Sequence, residues 1–250
     1  MPQRKLKVEL LCHTAAPDVT VAMGARICYA GIDVDALREQ VEARDRAALI
    51  QRVMDGGHLS TVEHASFTFA VEGISRVLLA QLTRHRIASF SVQSQRYVSM
   101  HDGFDYIVPP AIEALGGEAV ARYSGQMAQM HAWYAQWQQE LGGKSEKANE
   151  DARFVLPNAC TTRLMMTMNA RELLHFFSLR CCRRAQWEIR AMATEMLRQA
   201  LRAAPAIFAQ AGPGCVRGQC PEGSKSCGAA AQVKEELRRL RAEAEEQPEG

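Results

Sequence analysis

Hydrophobic residues recur along the chain with two different periods, and each period predicts one kind of element. Apolar side chains at helical spacing among charges predict a helix over residues 33–54, which stops at a pair of glycines. Residues 118–141 lie between two further glycine pairs and predict a long helix, and residues 170–203 predict one long helix or two shorter ones. Alternation of apolar and polar side chains over residues 64–71 predicts a strand.

Shorter segments complete this pattern. Residues 5–12 and 161–168 predict strands, and residues 74–83 predict a short helix. Residues 88–98 are rich in Ser and Gln and fit either a loop or a strand. Helices therefore dominate over a few strands. The predicted fold class is α+β, as a helix-rich single domain with a small antiparallel or mixed sheet.

The C-terminal segment differs in composition from the rest of the chain. Residues 212–228 predict a loop rich in Gly and Cys, and a charged helix follows with Val233, Leu237 and Leu240 on one face. We expect this helix to pack on the body of the protein or on another subunit. The predicted division is a main domain over residues 1–211 and an appended segment over residues 212–250, of which residues 247–250 are predicted to be disordered.

Composition excludes several classes of protein. A hydrophobic fraction of 47% excludes a disordered chain. No apolar run reaches the ~18 residues that a membrane span needs, and the first residues lack the core of a signal peptide, so a cytoplasmic protein is expected. The eight cysteines are then expected to be reduced, with Cys12, Cys28 and Cys160 as small core residues. A net charge of +2 argues against a binder of polymeric nucleic acid.

The near-neutral net charge is the sum of acidic and basic segments that alternate along the chain. Residues 73–101 contain no acid and carry four arginines and two histidines. Residues 152–187 contain one acid, Glu172, against six arginines. Two such segments in a neutral protein indicate a local site for an anion. The alternative is that these arginines pair with acids from distant segments.

One basic segment contains a motif of two arginines and a histidine. Arg84, His85 and Arg86 are followed by seven residues and then by Ser94. Arginine is suited to phosphate recognition because its planar guanidinium meets two phosphate oxygens at once. The triplet with this spacing resembles the signature of the flavin-dependent thymidylate synthases.

Three further blocks are similar to those of the same family and occur in the same order. Together with the triplet they cover roughly residues 57–190, and they identify the chain as a member of the family. One departure is that Ser91 and Val92 stand where some members have Asn and Glu. If that acid helps to seat the nucleotide, its role is lost here or passes to Gln93. The three blocks read GHLSTVEHASFTF (57–69), EDARFVLP (150–157) and NARELLHFFSLRCCRRAQWEIR (169–190).

The resemblance implies that deoxyuridine monophosphate (dUMP) is reductively methylated to thymidylate (dTMP). The one-carbon unit would come from 5,10-methylenetetrahydrofolate, and hydride would come through flavin adenine dinucleotide (FAD) reduced by NADPH. The resemblance also implies a homotetramer whose active sites are built at subunit interfaces. In place of a cysteine nucleophile, this chemistry needs a cation fixed beside the uracil, where negative charge develops.

An arginine on an apolar helical face is the candidate for that cation. Leu173, Phe176 and Phe177 stand at helical spacing, and the next position on their face is Arg180. A guanidinium directed toward a core is costly without a partner, so an Arg–carboxylate pair or a side chain at the edge of the face is also consistent with the pattern. The resemblance places the matching arginine on the nucleotide, which makes Arg180 the predicted catalytic residue.

The other site residues follow from the resemblance, position by position. Taken alone, His175 is also consistent with a core histidine and Asn169 with a helix N-cap. The weakest placement is His64, which would face the folate and the nicotinamide. The predicted dUMP residues are Gln81, Arg84, Ser94, Gln95, Arg96, Arg153 and Arg180. The predicted FAD residues are Ser66, Arg84, His85, Arg86, Asn169, Arg171 and His175.

A cysteine-bearing loop leaves a second function open. Cys215, Cys220 and Cys227 lie among glycines, and the adjacent Cys181 and Cys182 could add a fourth ligand for zinc or an iron–sulfur cluster. A tail loop with reduced thiols or an occasional disulfide is the favoured interpretation of this spacing, and no metal is predicted. The alternative function is a metal- or nucleic-acid-binding regulator that uses the arginine clusters and this loop.

Overall fold

A computed structural model describes residues 3–246, so the predicted disorder of residues 247–250 concerns residues outside this range. Helices dominate, and four short strands lie among them. A 3₁₀ segment, Leu59–His64, precedes the second strand. The elements in chain order are β1 Lys7–His13, α1 Pro17–Ile27, α2 Val34–Glu42, α3 Arg46–Asp55, β2 Ser66–Ser75, α4 Arg76–Leu82, β3 Ser89–Val92, α5 Pro110–Glu113, α6 Gly117–Glu140, α7 Glu146–Ala152, β4 Thr161–Asn169, α8 Ala170–Arg180, α9 Trp187–Ala203, α10 Pro205–Phe208 and α11 Ala230–Glu246.

The four strands form one antiparallel sheet in the order β1-β2-β4-β3. Side chains alternate along the two central strands, with Phe67 and Phe69 buried in β2 and Leu164 and Met166 buried in β4. Their polar neighbours pair across the strands, since Thr68 Oγ1 lies 2.9 Å from Thr167 Oγ1. The alternation of apolar and polar residues in the sequence therefore gives the sheet one buried face. The predicted helix-rich α+β class is confirmed.

The helix predicted over residues 33–54 is in fact two helices, α2 and α3. The break falls where Asp45 caps α3, its Oδ1 accepting a hydrogen bond from Ala48 N at 3.1 Å. A short acidic side chain favours such a cap over the helix interior, and the hydrophobic period alone does not show this. Helix α1 is absent from the sequence-based prediction, although Pro17 at its first position is a typical start signal.

Of the two alternatives for residues 170–203, the structure shows two helices. Asn169 caps α8, and Gln186 caps α9 by accepting from the backbone N–H groups of Glu188 and Ile189. The six residues 181–186 between the helices include two cysteines and two arginines. No helix within residues 3–246 has the length and hydropathy that crossing a membrane requires.

The described chain divides into two compact units. The first unit comprises residues 3–7, 71–84 and 90–165. Its core forms where α6 packs against the segment 100–108, and polar groups inside it are paired: Tyr134 Oη donates to Asn149 Oδ1 at 3.2 Å. The buried residues of this core are Met100, Phe104, Tyr106, Val108, Met127, Tyr134, Ala152 and Cys160.

The second unit comprises residues 8–70, 85–89 and 166–246. Aromatic side chains fill its centre, where the rings of Phe67 and Phe177 both meet Phe208 edge-on, at 5.2 and 5.8 Å between centroids. Helix α11 packs against α9 with the predicted face, Val233, Leu237 and Leu240, buried. The domain bounds 1–211 and 212–250 stay a prediction.

The predicted core cysteines have mixed outcomes. Cys160 is buried in the first unit, as expected. Cys12 and Cys28 are exposed, so this prediction is wrong for both. Cys12 lies on β1, an edge strand with most of its side chains toward solvent, and Cys28 directly follows the end of α1.

Candidate active site

A buried histidine connects the Arg-His-Arg motif to helix α8. His85 is 5% exposed, and its Nδ1 lies 3.0 Å from Glu172 Oε1. On the other side of the ring, Arg180 Nε donates a hydrogen bond to His85 Nε2 at 3.0 Å. Because Nε2 accepts from a guanidinium, the ring proton must sit on Nδ1, which donates to Glu172. Burial lowers the pKa of His85, and the charge of Arg180 acts in the same direction, so the ring is neutral at pH 7.

Local sequence fixes the two partners of this histidine. Glu172 is the third residue of α8 and is buried, and its backbone N–H donates to the Asn169 cap at 2.9 Å. Leu173, Phe176 and Phe177 are fully buried, which confirms the predicted apolar face and holds α8 so that Arg180, one turn further, reaches His85. Sequence reasoning did not select Glu172 as a site residue. The sequence feature that could have identified Glu172 is that it is the one acid of the basic segment 152–187.

An open cavity of about 610 Å³ lies beside the first turns of α8, and we call it the α8 cavity. Three predicted FAD residues, Asn169, Arg171 and His175, line it together. The volume lies within the range of small-molecule sites, roughly 300–1,000 Å³. The other lining residues are Leu59, Glu63, Ile87, Glu172, Leu174, Ser178 and Arg217.

The polar groups of the α8 cavity are partly engaged with each other. Arg171 Nη1 lies 2.5 Å from Glu63 Oε1, in an ion pair whose two side chains are about half exposed. The Asn169 side chain accepts from Glu172 N, so the N-cap interpretation is correct, and the residue lines the cavity as well. His175 is exposed, with its ring centroid 5.9 Å from that of His85, so the interpretation as a core histidine is wrong.

Three other predicted residues of the second unit lie elsewhere on its surface. Ser66 begins β2, and its backbone N–H donates to Thr14 Oγ1 at 2.9 Å. His64 is exposed and lies over α1, where a Cβ on Gly24 would come within 3.0 Å of the imidazole Cδ2. Arg86 is exposed, and residues 3–246 provide no carboxylate for its guanidinium.

In the first unit, the serine of the motif makes a turn and the following arginine is paired. Ser94 Oγ accepts from the backbone N–H of Arg96 at 3.1 Å. The Arg96 guanidinium contacts Glu146 at 2.5 Å and Glu150 at 3.0 Å. The buried Asn149 donates to the Arg96 carbonyl at 2.9 Å, which fixes the backbone there. For Arg96, pairing with distant acids is therefore the observed arrangement, and a nucleotide phosphate would have to compete with two carboxylates.

Two further arginines of the first unit lie close together. Arg76 is half-buried and donates from Nη2 to the Gln93 carbonyl at 3.0 Å, while its buried Nε has no hydrogen-bond partner within residues 3–246. Burial lowers the pKa of Arg76, and the positive charge of Arg153 acts in the same direction. Arg153 Nε donates to the Glu150 carbonyl at 3.0 Å. Sequence reasoning missed Arg76, although it lies in the acid-free segment 73–101.

The remaining predicted dUMP residues lie between these two arginines in the sequence. Gln95 Nε2 donates to the buried Cys160 Sγ at 3.7 Å. Gln81 lies on α4 and donates to the Val77 carbonyl at 3.4 Å. Arg84 is exposed, and the structure from residue 3 to residue 246 gives its guanidinium no carboxylate partner.

Two buried cysteines, Cys160 and Cys181, are poor nucleophiles in the folded protein. Burial raises the pKa of Cys160 to about 11 and that of Cys181 to about 12, so both are protonated at neutral pH. Within residues 3–246, no group of three or more His, Cys, Asp or Glu side chains is placed to hold a metal ion.

The α8 cavity is an open pocket in an α+β protein, and its lining includes two arginines, Arg171 and Arg217. A family model described as thymidylate synthase complementing protein matches residues 9–206. The chain is 52% identical to the flavin-dependent thymidylate synthase of Geobacter sulfurreducens, covering 94% of this chain and 99% of that protein. The proteins of the same name from Clostridium tetani and Nitratidesulfovibrio vulgaris are 45% and 48% identical, over 92% and 91% of this chain and 96% of each relative.

The chain belongs to the thymidylate synthase complementing protein family, and these relatives carry the name flavin-dependent thymidylate synthase. The family predicted from the four blocks is confirmed, and with it the prediction that the protein belongs to a family of enzymes.

Proposed function

We propose that the protein is a flavin-dependent thymidylate synthase that converts dUMP to dTMP. 5,10-Methylenetetrahydrofolate would supply the one-carbon unit, and NADPH would reduce the FAD. The observation that carries the proposal is the chain of hydrogen bonds from Arg180 through His85 to Glu172. It ties the histidine of the Arg-His-Arg motif to the arginine that the resemblance places on the uracil.

The residues around the α8 cavity fit FAD. The cavity is lined by the amide of Asn169, the guanidinium of Arg171 and the imidazole of His175, and the exposed Arg86 adds a guanidinium in the same unit. These groups suit an anionic dinucleotide, because charge-assisted donors bind phosphate oxygens strongly. We propose that Asn169, Arg171, His175 and Arg86 hold FAD together with Ser66, Arg84 and His85. When bound, FAD supplies the hydride for the reaction.

The neutral ring of His85 explains how Arg180 serves catalysis. The ring accepts from Arg180 Nε without adding a negative charge, so this hydrogen bond orients the guanidinium and leaves its charge in place. Glu172 on the far side fixes the tautomer that makes Nε2 an acceptor. A guanidinium held in this way stabilises the negative charge that develops on the uracil, and it does so without reorganising during the reaction.

Two arginines of the first unit support the predicted phosphate contacts of the nucleotide. Arg153 and Arg76 bring two positive charges near each other, and burial of Arg76 makes the mutual repulsion costly unless an anion joins them. We propose that the dUMP phosphate is that anion, bound also by Ser94, Gln95 and Arg96, with Gln81 and Arg84 on the same nucleotide. His64 stays the proposed residue for the folate and nicotinamide side.

We further propose a cytoplasmic homotetramer, in keeping with the family resemblance. The alternative function is a metal- or nucleic-acid-binding regulator, and within residues 3–246 no group of three or more His, Cys, Asp or Glu side chains is placed to hold a metal ion.

A single variant tests the proposed function. Purified protein with FAD, NADPH, dUMP and methylenetetrahydrofolate should form dTMP. Arg180→Ala should lower kcat about 100- to 1,000-fold, which is the usual effect of removing one charge-stabilising donor. Arg239→Ala, on the exposed face of α11, is the matched control and should keep wild-type activity. Near-normal dTMP formation by a folded, flavin-bound Arg180→Ala variant would show that this arginine does not activate the uracil.

A further inference from the structure

A loop beyond the family match contributes an arginine to the α8 cavity. The match ends at residue 206, and Arg217 follows it in the cysteine-bearing loop, between Cys215 and Cys220. Its side chain lines the cavity together with Asn169 and Arg171. The resemblance assigned no role to this position.

The charges of the cavity wall show why this arginine matters. Arg171 is paired with Glu63 at 2.5 Å, and Glu172 is bonded to His85 at 3.0 Å. Arg217 is exposed, and within residues 3–246 its guanidinium has no hydrogen bond or ion pair. An anion that enters the cavity therefore meets Arg217 with its charge unopposed by a carboxylate, whereas Arg171 has already been largely neutralised.

Two arginines that follow α8 hold the C-terminal segment in place. Arg183 donates to Gln232 Oε1 at 2.7 Å and pairs with Glu236 at 2.5 Å, both on α11. Arg184 pairs with Glu222 at 3.2 Å, on the loop itself. The loop that carries Arg217 is therefore tied to the chain directly after α8, and α8 forms one wall of the cavity.

Close packing adds a second restraint at the start of the loop. Gly212 lies so near α11 that a Cβ there would come within 2.7 Å of Leu237 Cδ1. The buried Leu237 thus packs directly on the backbone where the loop begins. A loop restrained at this point and by the two arginines presents Arg217 with little loss of conformational entropy on binding.

We propose that Arg217 binds the phosphate groups of FAD, so that the C-terminal segment forms part of the cofactor site. This inference rests on the proposed function. The phosphates are the charged part of the dinucleotide, and a guanidinium recognises two phosphate oxygens through its planar fork. The flavin ring carries no such charge, so binding of the ring alone does not require Arg217.

The test compares flavins with and without phosphate. Affinities for FAD and riboflavin are measured by flavin fluorescence, and affinity for ADP by calorimetry, with the full-length apoprotein. Arg217→Ala should weaken FAD and ADP binding about tenfold or more, the usual effect of losing a charge-assisted hydrogen bond, and leave riboflavin binding unchanged. Arg217→Lys, which keeps the charge but not the fork, should recover part of the loss. Arg239→Ala should bind all three ligands as the wild type does.

The possible failures are distinguishable. Wild-type FAD affinity in Arg217→Ala would overturn the inference and leave the proposed function intact. An equal loss of FAD and riboflavin binding would also overturn it, because that result indicates a displaced loop and not a lost phosphate contact. A wild-type protein that binds no FAD would overturn the proposed function, and the inference with it.

Discussion

His85 makes one hydrogen bond through each ring nitrogen, and two amide variants separate these bonds. The asparagine amide nitrogen occupies about the position of Nδ1, so His85→Asn keeps a donor for Glu172 and loses the acceptor for Arg180. The glutamine amide oxygen occupies about the position of Nε2, so His85→Gln keeps the acceptor for Arg180 and loses the donor for Glu172. The two contacts are both 3.0 Å long in the structure.

The burial of the two partners sets different magnitudes for the two variants. The Glu172 side chain is 8% exposed, so His85→Gln leaves a buried carboxylate without its donor and should cost about 2–3 kcal/mol of unfolding free energy. Arg180 is partly exposed, so water replaces the lost acceptor in His85→Asn, and stability should fall by about 1 kcal/mol or less. Instead, the guanidinium loses its orientation, which should lower kcat about 10- to 100-fold.

Urea unfolding and dTMP formation at saturating FAD measure the two effects. With a slope of about 2 kcal/mol/M, His85→Gln should unfold at roughly 1 M less urea than the wild type. His85→Asn should unfold near the wild-type midpoint and be the less active of the two. Equal losses of stability would refute the assignment of the proton to Nδ1, and a fully active His85→Asn would refute the orienting role of the Arg180 bond.

The neutral state of His85 also fixes the sign of a pH effect. Burial lowers the pKa of His85 in the folded protein below its ordinary value of 6.5. Above pH 6.5 the ring is neutral in both states, and its full contribution to stability is present. As the pH falls below 6.5, the unfolded chain takes up a proton that the folded protein refuses, so the unfolding free energy falls by up to about 1.4 kcal/mol per pH unit. His85→Asn should lack this pH dependence. Urea unfolding of both proteins between pH 7.5 and 5.5 measures it, and parallel curves of unfolding free energy against pH would show that His85 does not cause it.

Two further predictions concern glycines and thiols. Gly73 has φ +70°, and a Cβ there would lie 2.0 Å from the Lys5 carbonyl oxygen, so Gly73→Ala should lose about 3 kcal/mol or more in urea unfolding. Gly125→Ala is the control, because Gly125 lies inside α6 with open space around it, and it should gain up to about 1 kcal/mol. Iodoacetamide at pH 8 should label the exposed Cys12 far faster than the buried Cys160, as measured by mass spectrometry. Equal labelling rates would show that Cys160 is accessible to the reagent and not buried.

The sequence allows the local parts of this site to be predicted. The face of α8 with Leu173, Phe176 and Phe177 follows from helical spacing, and the position of Arg180 follows with it. The cap at Asn169 follows from its residue type and the acid three positions on. Each of these relations spans no more than two or three helical turns, which is why spacing alone reveals them.

The contact that joins the site was not predictable in this way. His85 and Glu172 are 87 positions apart, and neither has a periodic signal toward the other. The family resemblance selected His85 as a flavin residue and passed over Glu172. The break between α2 and α3 was missed for a different reason, since one aspartate cap outweighs a continuous hydrophobic period.

The basic segments show why a charge pattern predicts a region better than it predicts residues. Arg96, Arg183 and Arg184 lie in these segments, yet each is paired with a glutamate from outside them. Arg86 lies in the acid-free segment 73–101 as well, and its guanidinium has no carboxylate partner among residues 3–246. Arg217 lies outside both segments and lines the α8 cavity. Since a carboxylate bound to a guanidinium offsets its charge and uses part of its donors, the unpaired state of an arginine in the fold says more about anion binding than the local density of positive charge.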